Sequence, residues 1–310
     1  MAPRQLNIIL EGQHRRDAEA GKINIFNRIT KAFSSSGYQV AYRDLDDLGL
    51  SPPPPDCFAL YFMQEPASPR ALTLRRAYHY PFWRIEATNE RWHTDVARAT
   101  FDPEKVDPAL ATPFARRWRR TLFADRVARR EGFVFVPLQG RLLERRSFQA
   151  ESPVAMIHTL READTKRRIV LKLHPKERYE PAEMEAIEQL CRDPRIVLSD
   201  ADPLDLLAGC DYVVTQNSGL ALTGFFMGKR AIVFARIDYH HIAGSVPEVG
   251  VKRAFATLEG PAPAFDRYLH WFLQENAVNG GRDDAEHRIL ARAARFGWPS
   301  EGPFAEAPCK

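Results

Sequence analysis

Strand-like apolar runs alternate with helical stretches through residues 132–234, and this alternation restricts the fold more than any other feature of the chain. Parallel strands need helical crossovers, so the alternation predicts a parallel sheet covered by helices on both faces. Strands are predicted at 133–138, 168–173, 196–198, 211–214 and 230–234, and helices from 152 and at 181–192, 203–209 and 218–227. The second half of the chain is therefore predicted to be an α/β domain.

Two of these strands end in polar residues that suit phosphate binding. One stops at His174 and Pro175, because proline cannot continue a strand ladder and holds its predecessor extended. Another leads into Asn217, Ser218 and Gly219, where the serine can cap the following helix or donate its hydroxyl proton to an anion. Each piece also has a purely structural explanation. In that explanation His174 bonds a backbone carbonyl, and Ser218 only caps the helix. Because ligands of open α/β sheets collect at the carboxyl ends of strands, we expect both to face one crevice.

The first half of the chain opens with a βαβ pattern. Strands are predicted at 6–10, 38–42 and 57–62, with a loop at 11–16, a helix from Ile23 and a stiff proline connection at 52–55. Glu11 follows the first strand. Its carboxylate is either a solvated loop group or a group that reaches into a cleft between domains.

Residues 68–130 are predicted to be helical and are dense in aromatic side chains. Rings at this density form a core or, beside polar groups, a surface that binds sugars, and the sequence leaves both interpretations open. Arg84 and Arg91 lie among these rings. Their neighbourhood suits a polar acceptor cleft.

The return of the α/β pattern at Gly132 places a domain boundary near Glu131. The predicted organisation is a first α/β domain at 1–130, a second at 131–262, C-terminal helices at 263–300 and a tail at 301–310. The C-terminal helices, around 263–276 and 283–296 with no strand between them, are expected to pack back on the first domain.

The composition is that of an ordinary globular protein, with 45% hydrophobic and 27% charged residues among 310. Four cysteines lack Cys-x-x-Cys spacing and a nearby histidine pair, which argues against zinc and against a disulfide framework. A reducing cytosol fits best. The apolar run near the first residue is too short for a secretory segment, and no run approaches a bilayer span, so we expect neither export nor membrane insertion.

Neither a metal nor another cofactor is expected. The Asp-x-Asp pair that ends at Asp202 leads into a helix, so Asp202 is interpreted as a helix cap and not as a Mg²⁺ ligand. His240 and His241 are interpreted as loop histidines.

Arginines cluster between residues 116 and 130, although the net charge is only +4. Such a run forms a solvated face, or it attracts anionic lipid headgroups, a negatively charged glycan or nucleic acid. Nucleic acid is not expected as a partner, because no nucleic-acid module is recognisable. The cluster consists of Arg116, Arg117, Arg119, Arg120, Arg126, Arg129 and Arg130.

Four motifs in order resemble the capsular polysaccharide biosynthesis family, which includes the bacterial Kdo transferases of capsule assembly. They are Phe-Val-Pro-Leu-Gln ending at Gln139, Lys-Leu-His-Pro-Lys around His174, Gln-Asn-Ser-Gly-Leu around Ser218, and Gly-Lys-Arg-Ala-Ile-Val with Tyr239 downstream. The resemblance covers residues 131–245 well and the first domain only by position. It implies the GT-B architecture, in which two Rossmann-like domains carry out nucleotide-sugar glycosyl transfer.

The resemblance also implies roles at matching positions. His174, with Pro175 beside it, would hydrogen-bond the phosphate of a cytidine monophosphate leaving group, and Asn217, Ser218 and Gly219 would hold the same phosphate. Gln139 would line the donor cleft. An acidic residue that often follows this glutamine in related enzymes is missing here, because Gly140-Arg-Leu-Leu precedes Glu144.

The sequence therefore predicts a cytosolic, metal-independent glycosyltransferase of surface-polysaccharide assembly. The expected donor is CMP-Kdo or a related acidic sugar. The expected acceptor is an anionic glycan or glycolipid met by Arg84 and Arg91 at the inner face of the membrane, with His174 and Glu11 as catalytic candidates. Two alternatives stay open, a sugar-nucleotide 2-epimerase and a non-catalytic partner of capsule export.

Overall fold

A computed structural model describes residues 4–48 and 57–304. The predicted proline connection at 52–55 and the end of the predicted tail lie outside these residues. The chain forms two compact units, which are described separately: residues 1–98 with 272–310, and residues 99–271. The second unit is thus inserted into the sequence of the first.

The described part of the chain contains twelve strands, twelve α-helices and four short helices of other types. The strands are β1 Arg4–Leu10, β2 Tyr38–Asp44, β3 Phe58–Phe62, β4 Ala71–Arg76, β5 Phe82–Glu86, β6 Phe133–Pro137, β7 Arg168–Lys172, β8 Ile196–Leu198, β9 Tyr212–Thr215, β10 Arg230–Val233, β11 Gly244–Ser245 and β12 Val278–Asn279. The helices are α1 Gly12–Glu19, α2 Asn24–Ser35, α3 Leu45–Leu48, α4 Asp95–Arg98, α5 Pro108–Phe123, α6 Pro153–Ala163, α7 Pro181–Leu190, α8 Pro203–Gly209, α9 Gly219–Phe225, α10 Val246–Ala256, α11 Phe265–His270 and α12 Ala285–Ala294.

The second unit contains the predicted parallel sheet. Its strands run in the order β11-β10-β9-β6-β7-β8, and every neighbouring pair is parallel. Because helices cover both faces of the sheet, β6 and β9 are buried at every position, and their residues are apolar apart from Thr215 at the end of β9.

Helix starts in this unit follow from local chemistry. The Ser152 hydroxyl accepts the backbone N–H of Ala155, with proline at the next position. Asp202 caps α8 by accepting the N–H groups of Leu204 and Asp205, which confirms its interpretation as a cap.

The first unit contains a mixed six-stranded sheet in the order β12-β5-β4-β3-β1-β2. The prediction that residues 68–130 are helical is wrong for β4 and β5, which form an antiparallel pair within that range. Both strands are buried at nearly every position, and burial between sheet neighbours overrides the helix propensity of Ala-Leu-Thr-Leu-Arg-Arg. The predicted loop at 11–16 is likewise helical, as the start of α1.

The C-terminal segment is divided between the units. Helix α12 packs against α2 and β12 pairs with β5, so residues 272–304 complete the first unit, as expected for the C-terminal helices. The expectation of no strand between these helices is wrong, because β12 lies there. Helix α11 instead packs against α5 in the second unit. The units therefore divide at 98/99 and 271/272, whereas the sequence placed the boundary near Glu131.

Membrane-spanning segments were sought among the helices of residues 4–48 and 57–304. None of these helices is both long enough and apolar enough to cross a bilayer. The longest is α5, with 16 residues, and it carries four arginines.

Candidate functional site

Three neighbouring strands of the second unit end side by side in polar residues. Strand β6 lies between β9 and β7, and all three are parallel, so their carboxyl ends meet at one edge of the sheet. Gln139 follows β6, His174 follows β7, and Asn217 and Ser218 follow β9. Neighbouring strands lie about 4.8 Å apart, so β7 and β9 are separated by roughly 10 Å.

His174 is exposed, and its surroundings set its tautomer. Its Nδ1 accepts the backbone N–H of Lys176 at 3.2 Å, so in the neutral ring the proton resides on Nε2. The backbone N–H of His174 donates to the Tyr179 hydroxyl at 2.8 Å, which holds the strand end in place. The histidine thus presents a hydrogen-bond donor, Nε2–H, at the edge of the sheet.

Ser218 is the N-cap of α9, as one of its two interpretations predicted. Its hydroxyl oxygen accepts the N–H of Leu220 at 3.3 Å, which leaves the hydroxyl proton to be donated. Its backbone carbonyl accepts a 2.6 Å hydrogen bond from the hydroxyl of the fully buried Tyr239. Asn217 is 5% exposed and Ser218 9% exposed, so this turn is packed into the protein.

Two glutamines at this edge have acceptor oxygens that no protein donor reaches. The Oε1 atoms of Gln139 and Gln216 are buried and have no hydrogen-bond partner. Gln216 is fixed through its Nε2, which donates to the carbonyl of Glu151 at 3.0 Å. A buried acceptor without a donor is costly, so both atoms can take a donor from a ligand or a water molecule.

Close packing shapes the loop that follows β6. A Cβ atom at Gly140 would lie 2.5 Å from Glu177 Oε2, so a larger residue here would displace the exposed Glu177 side chain. The Thr215 hydroxyl donates to the carbonyl of Pro137 at 3.1 Å and ties the ends of β9 and β6 together. Gln139 is therefore carried on a loop held from both sides.

Glu11 lies at the carboxyl edge of the sheet in the first unit. It follows β1 directly and occupies the N-cap position of α1, but its side chain makes no capping hydrogen bond. The carboxylate instead accepts the Nε2–H of Gln64 at 2.9 Å, and the residue is exposed. It is an accessible carboxylate held in one orientation.

Arg84 and Arg91 belong to one stack of side chains in the first unit. The Arg84 guanidinium lies 4.1 Å from the ring centroid of Phe272, and that of Arg91 lies 5.5 Å from the ring of Tyr78. The two rings are 6.1 Å apart. Tyr78 has a φ of +67°, which is strained for a bulky residue. Arg84 is 2% exposed and donates to the Phe272 carbonyl, whereas Arg91 is partly exposed.

His240 and His241 are held by protein groups, in agreement with their interpretation as loop histidines. His240 bonds the carbonyl of Ile237 at 2.7 Å, and His241 bonds the Tyr268 hydroxyl and the Ala99 carbonyl, each at 3.0 Å. Within residues 4–48 and 57–304, no group of three or more His, Cys, Asp or Glu side chains could hold a metal ion.

The supporting contacts of the site were not predicted. Tyr239 was noted only as part of a motif, and neither Tyr179 nor Gln64 was singled out. Tyr239 and Gln64 lie 21 and 53 residues from their partners, so no local pattern signals either contact. Tyr179 lies only five residues after His174, so its contact with His174 could have been predicted from the local sequence.

No protein-family model matches the chain, and no curated protein matches it in sequence. Solved structures are similar in fold. The KpsC β-Kdo 2,7-transferase of Thermosulfurimonas dismutans is 14% identical, with a TM-score of 0.54 over 95% of this chain and 100% of that one. The β-Kdo 2,4-transferase from the same organism is 14% identical, with a TM-score of 0.45 over 86% and 98%. The UDP-GlcNAc 2-epimerase of Methanocaldococcus jannaschii is 12% identical, with a TM-score of 0.37 over 94% and 100%.

Because the sequence identity is only 14%, the similarity to the β-Kdo 2,7-transferase shows the fold alone. That fold consists of two Rossmann-like domains of the GT-B type, each with a sheet flanked by helices. The predicted fold class is confirmed.

Proposed function

We propose that the chain is a glycosyltransferase of capsular or surface-polysaccharide biosynthesis, which transfers Kdo or a related acidic sugar from a CMP-activated donor. The observation that carries the proposal is a pair of donors, His174 Nε2–H and the Ser218 hydroxyl, on the two strands that flank β6. The GT-B fold, shared with a β-Kdo transferase, supports it.

The two donors suit the phosphate of a CMP leaving group. Negative charge grows on that phosphate as the glycosidic bond breaks, so donors already in place stabilise the transition state more than the ground state. A phosphate above the end of β6, with a hydrogen bond of about 2.8 Å on each side, suits the separation of roughly 10 Å between β7 and β9. Asn217, Gly219 and Pro175 complete the surroundings of the phosphate in this proposal.

Gln139 is assigned to the donor cleft. Its buried Oε1 has no protein donor, and an amino or hydroxyl group of the nucleotide can supply one. The Gln216 oxygen on the neighbouring strand end offers a second acceptor of the same kind.

Glu11 is proposed as the carboxylate that takes the proton of the acceptor hydroxyl. It is exposed, and Gln64 fixes its orientation, as a general base requires. The acceptor is proposed to be an anionic glycan or glycolipid, with Arg91 as the accessible guanidinium and Arg84 behind it in the same stack.

The enzyme is proposed to work in the cytosol at the inner face of the cytoplasmic membrane, as a peripheral protein and without a metal. In this scheme protein donors, and not a divalent cation, neutralise the leaving phosphate. Nucleic acid has no part in it.

Ligand screening by thermal unfolding tests the donor site. Cytidine nucleotides should stabilise the protein more than uridine or guanosine nucleotides do. At a cytidine nucleotide concentration one hundred times its Kd, the gain over the unliganded protein is about 2.7 kcal/mol. His174→Ala and Ser218→Ala should each reduce that gain. If no nucleotide stabilises the protein, the donor-site assignment is wrong.

Product analysis separates the proposal from an epimerase. With UDP-N-acetylglucosamine and no acceptor, an epimerase inverts the sugar at C2, whereas a transferase leaves its configuration unchanged. If that reaction yields the sugar nucleotide inverted at C2, the protein is an epimerase and the proposal of a transferase is wrong. Co-purification with export components, together with no nucleotide binding, would favour the non-catalytic partner.

A further inference from the structure

The arginine cluster separates into paired and unpaired members. Arg119 donates to the Phe226 carbonyl and lies 3.6 Å from Asp266, Arg126 pairs with Asp202 and Asp205, and Arg129 pairs with Glu131. By contrast, the guanidinium groups of four members make no hydrogen bond or ion pair with any residue of the described part of the chain: Arg116, Arg117, Arg120 and Arg130. The cluster is therefore only partly accounted for by the folding of the second unit.

Two of these arginines lie on the outer side of α5. This helix has 16 residues and buries Ala111, Ala115 and Phe123. At about 100° per residue, Arg117 and Arg120 project on the opposite side, together with Leu110, whereas Arg116 lies at the edge of the buried side; all four are exposed. Asp266 interacts electrostatically with Arg116 and Arg119. No aspartate or glutamate occurs within α5 to offset the charge of Arg117 and Arg120.

Exposed apolar side chains accompany these charges. Leu110 near the start of α5 is 59% exposed, and Val127 just beyond its end is 67% exposed. These are the two most exposed large apolar side chains in the described residues. Together with the exposed arginines, these side chains give the segment the mixed basic and apolar composition of a membrane-contacting surface.

A second basic region of the same unit shows the contrast. It lines a cavity of about 500 Å³ at the start of β7 and β10. There Arg167 is paired with Asp164 at 2.9 Å and Asp211 at 2.6 Å, and Arg230 bonds carbonyl groups at the end of α10. Cations at helix carboxyl ends stabilise the helix dipole, so folding explains Arg167 and Arg230, whereas Arg130, Lys166 and Lys252 line the same cavity without such contacts.

We propose that the outer face of α5, formed by Leu110, Arg117 and Arg120 with Arg116 at its edge, docks on an anionic lipid bilayer together with Val127 in the segment that follows the helix. Guanidinium groups pair with lipid phosphates, while the two aliphatic side chains enter the headgroup boundary. This combination suits a bilayer better than a nucleic acid, which offers no apolar layer. The inference deepens the proposed function, on which its biological role rests, because it assigns the membrane contact to the second unit.

Sedimentation with vesicles tests the surface. The parent protein should bind vesicles of equal parts phosphatidylcholine and phosphatidylglycerol at low salt, and should not bind phosphatidylcholine alone. Replacing Arg116, Arg117 and Arg120 by Gln should lower the partition coefficient about a hundredfold, since each contributes about a factor of five near an anionic surface. A control with the same charge change is the triple variant Arg192→Gln, Lys252→Gln and Arg253→Gln, which alters exposed residues of other segments. It should bind as the parent does.

A second variant separates insertion from charge attraction. At low salt the double variant Leu110→Asn with Val127→Asn should keep most of the vesicle binding of the parent. At high salt, where charge attraction is screened, it should lose the binding that the parent retains. No binding by the parent at low salt would overturn the proposal, and so would an equal loss in both triple variants. If the parent protein binds single-stranded RNA as tightly as it binds the anionic vesicles, and the α5 triple variant loses that binding, the surface binds nucleic acid instead.

Nucleotide stabilisation measured on the same samples keeps this inference distinct from the proposed function. The α5 triple variant should retain the full thermal shift with cytidine nucleotides. If the parent protein binds vesicles but no nucleotide stabilises it, the donor site is wrong and the docking surface is still supported.

Discussion

The Tyr239 hydroxyl donates a 2.6 Å hydrogen bond to the backbone carbonyl of Ser218, 21 residues earlier in the chain. Tyr239 is fully buried, so it fixes the position of the serine from beneath. Tyr239→Phe should lower the free energy of unfolding by about 1–2 kcal/mol and weaken nucleotide binding about threefold to tenfold. Denaturant titration and calorimetric binding measure the two effects.

Tyr38→Phe is the matched control for that variant. The Tyr38 hydroxyl donates a 2.7 Å hydrogen bond to the Pro299 carbonyl in the first unit. It should lose similar stability and bind nucleotide like the parent. If both variants weaken nucleotide binding equally, the positioning role of Tyr239 is wrong.

His174→Ala and Ser218→Ala should each lower turnover by about one to three orders of magnitude, because each removes a donor to the leaving phosphate. His174→Ala, at the exposed end of a strand, should change the midpoint of thermal unfolding little, whereas Ser218→Ala also removes the N-cap of α9 and should lower the free energy of unfolding by about 1 kcal/mol. Steady-state rates with a CMP-sugar donor measure the effect. His158→Ala, an exposed histidine on α6, is the control and should keep full turnover. Parent-like rates in the first two variants would exclude them from the reaction.

Asp164 should make the stability of the second unit depend on pH. Burial alone would raise the pKa of this carboxyl, but hydrogen bonds from Arg167, the Lys166 N–H and the Tyr212 hydroxyl lower the pKa below its usual value. The folded protein therefore binds this proton less tightly than the unfolded chain does. The stabilisation is complete above the unfolded pKa of about 3.9 and is lost as the pH falls through the lower folded pKa.

Asp164→Asn should accordingly cost about 2–3 kcal/mol at neutral pH, since it weakens hydrogen bonds to a charged group. The difference from the parent should shrink as the pH falls below about 4. Denaturant titrations across the acidic range measure it, with the exposed Asp205→Asn as a control. A difference that is constant with pH would contradict the assigned ionisation.

Chelation should leave turnover unchanged. The proposed reaction assigns the charge of the leaving phosphate to His174 and Ser218 and assigns none to a metal ion. Rates measured after exhaustive treatment with EDTA check this expectation. A loss of activity that Mg²⁺ restores would add a metal to the scheme.

The sequence predicted most accurately those elements whose pattern is local. Strand β7 and the turn at Ser218 were recognised because an apolar run, a proline and a capping residue each act over a few positions. Strands β4 and β5 were missed, since their conformation depends on burial between sheet neighbours and not on their own propensity. The contact of Glu11 with Gln64 was missed for the same reason, because chain topology alone brings the two together.

The insertion of residues 99–271 within the first unit also bears on how the protein is made. During synthesis, β1 to β5 leave the ribosome long before β12 and α12, which complete their sheet and cover α2. The inserted unit has its whole sheet by residue 245 and is available to fold first. In a chain that ends at residue 271 and has been released from the ribosome, the second unit should therefore resist protease while the first remains sensitive.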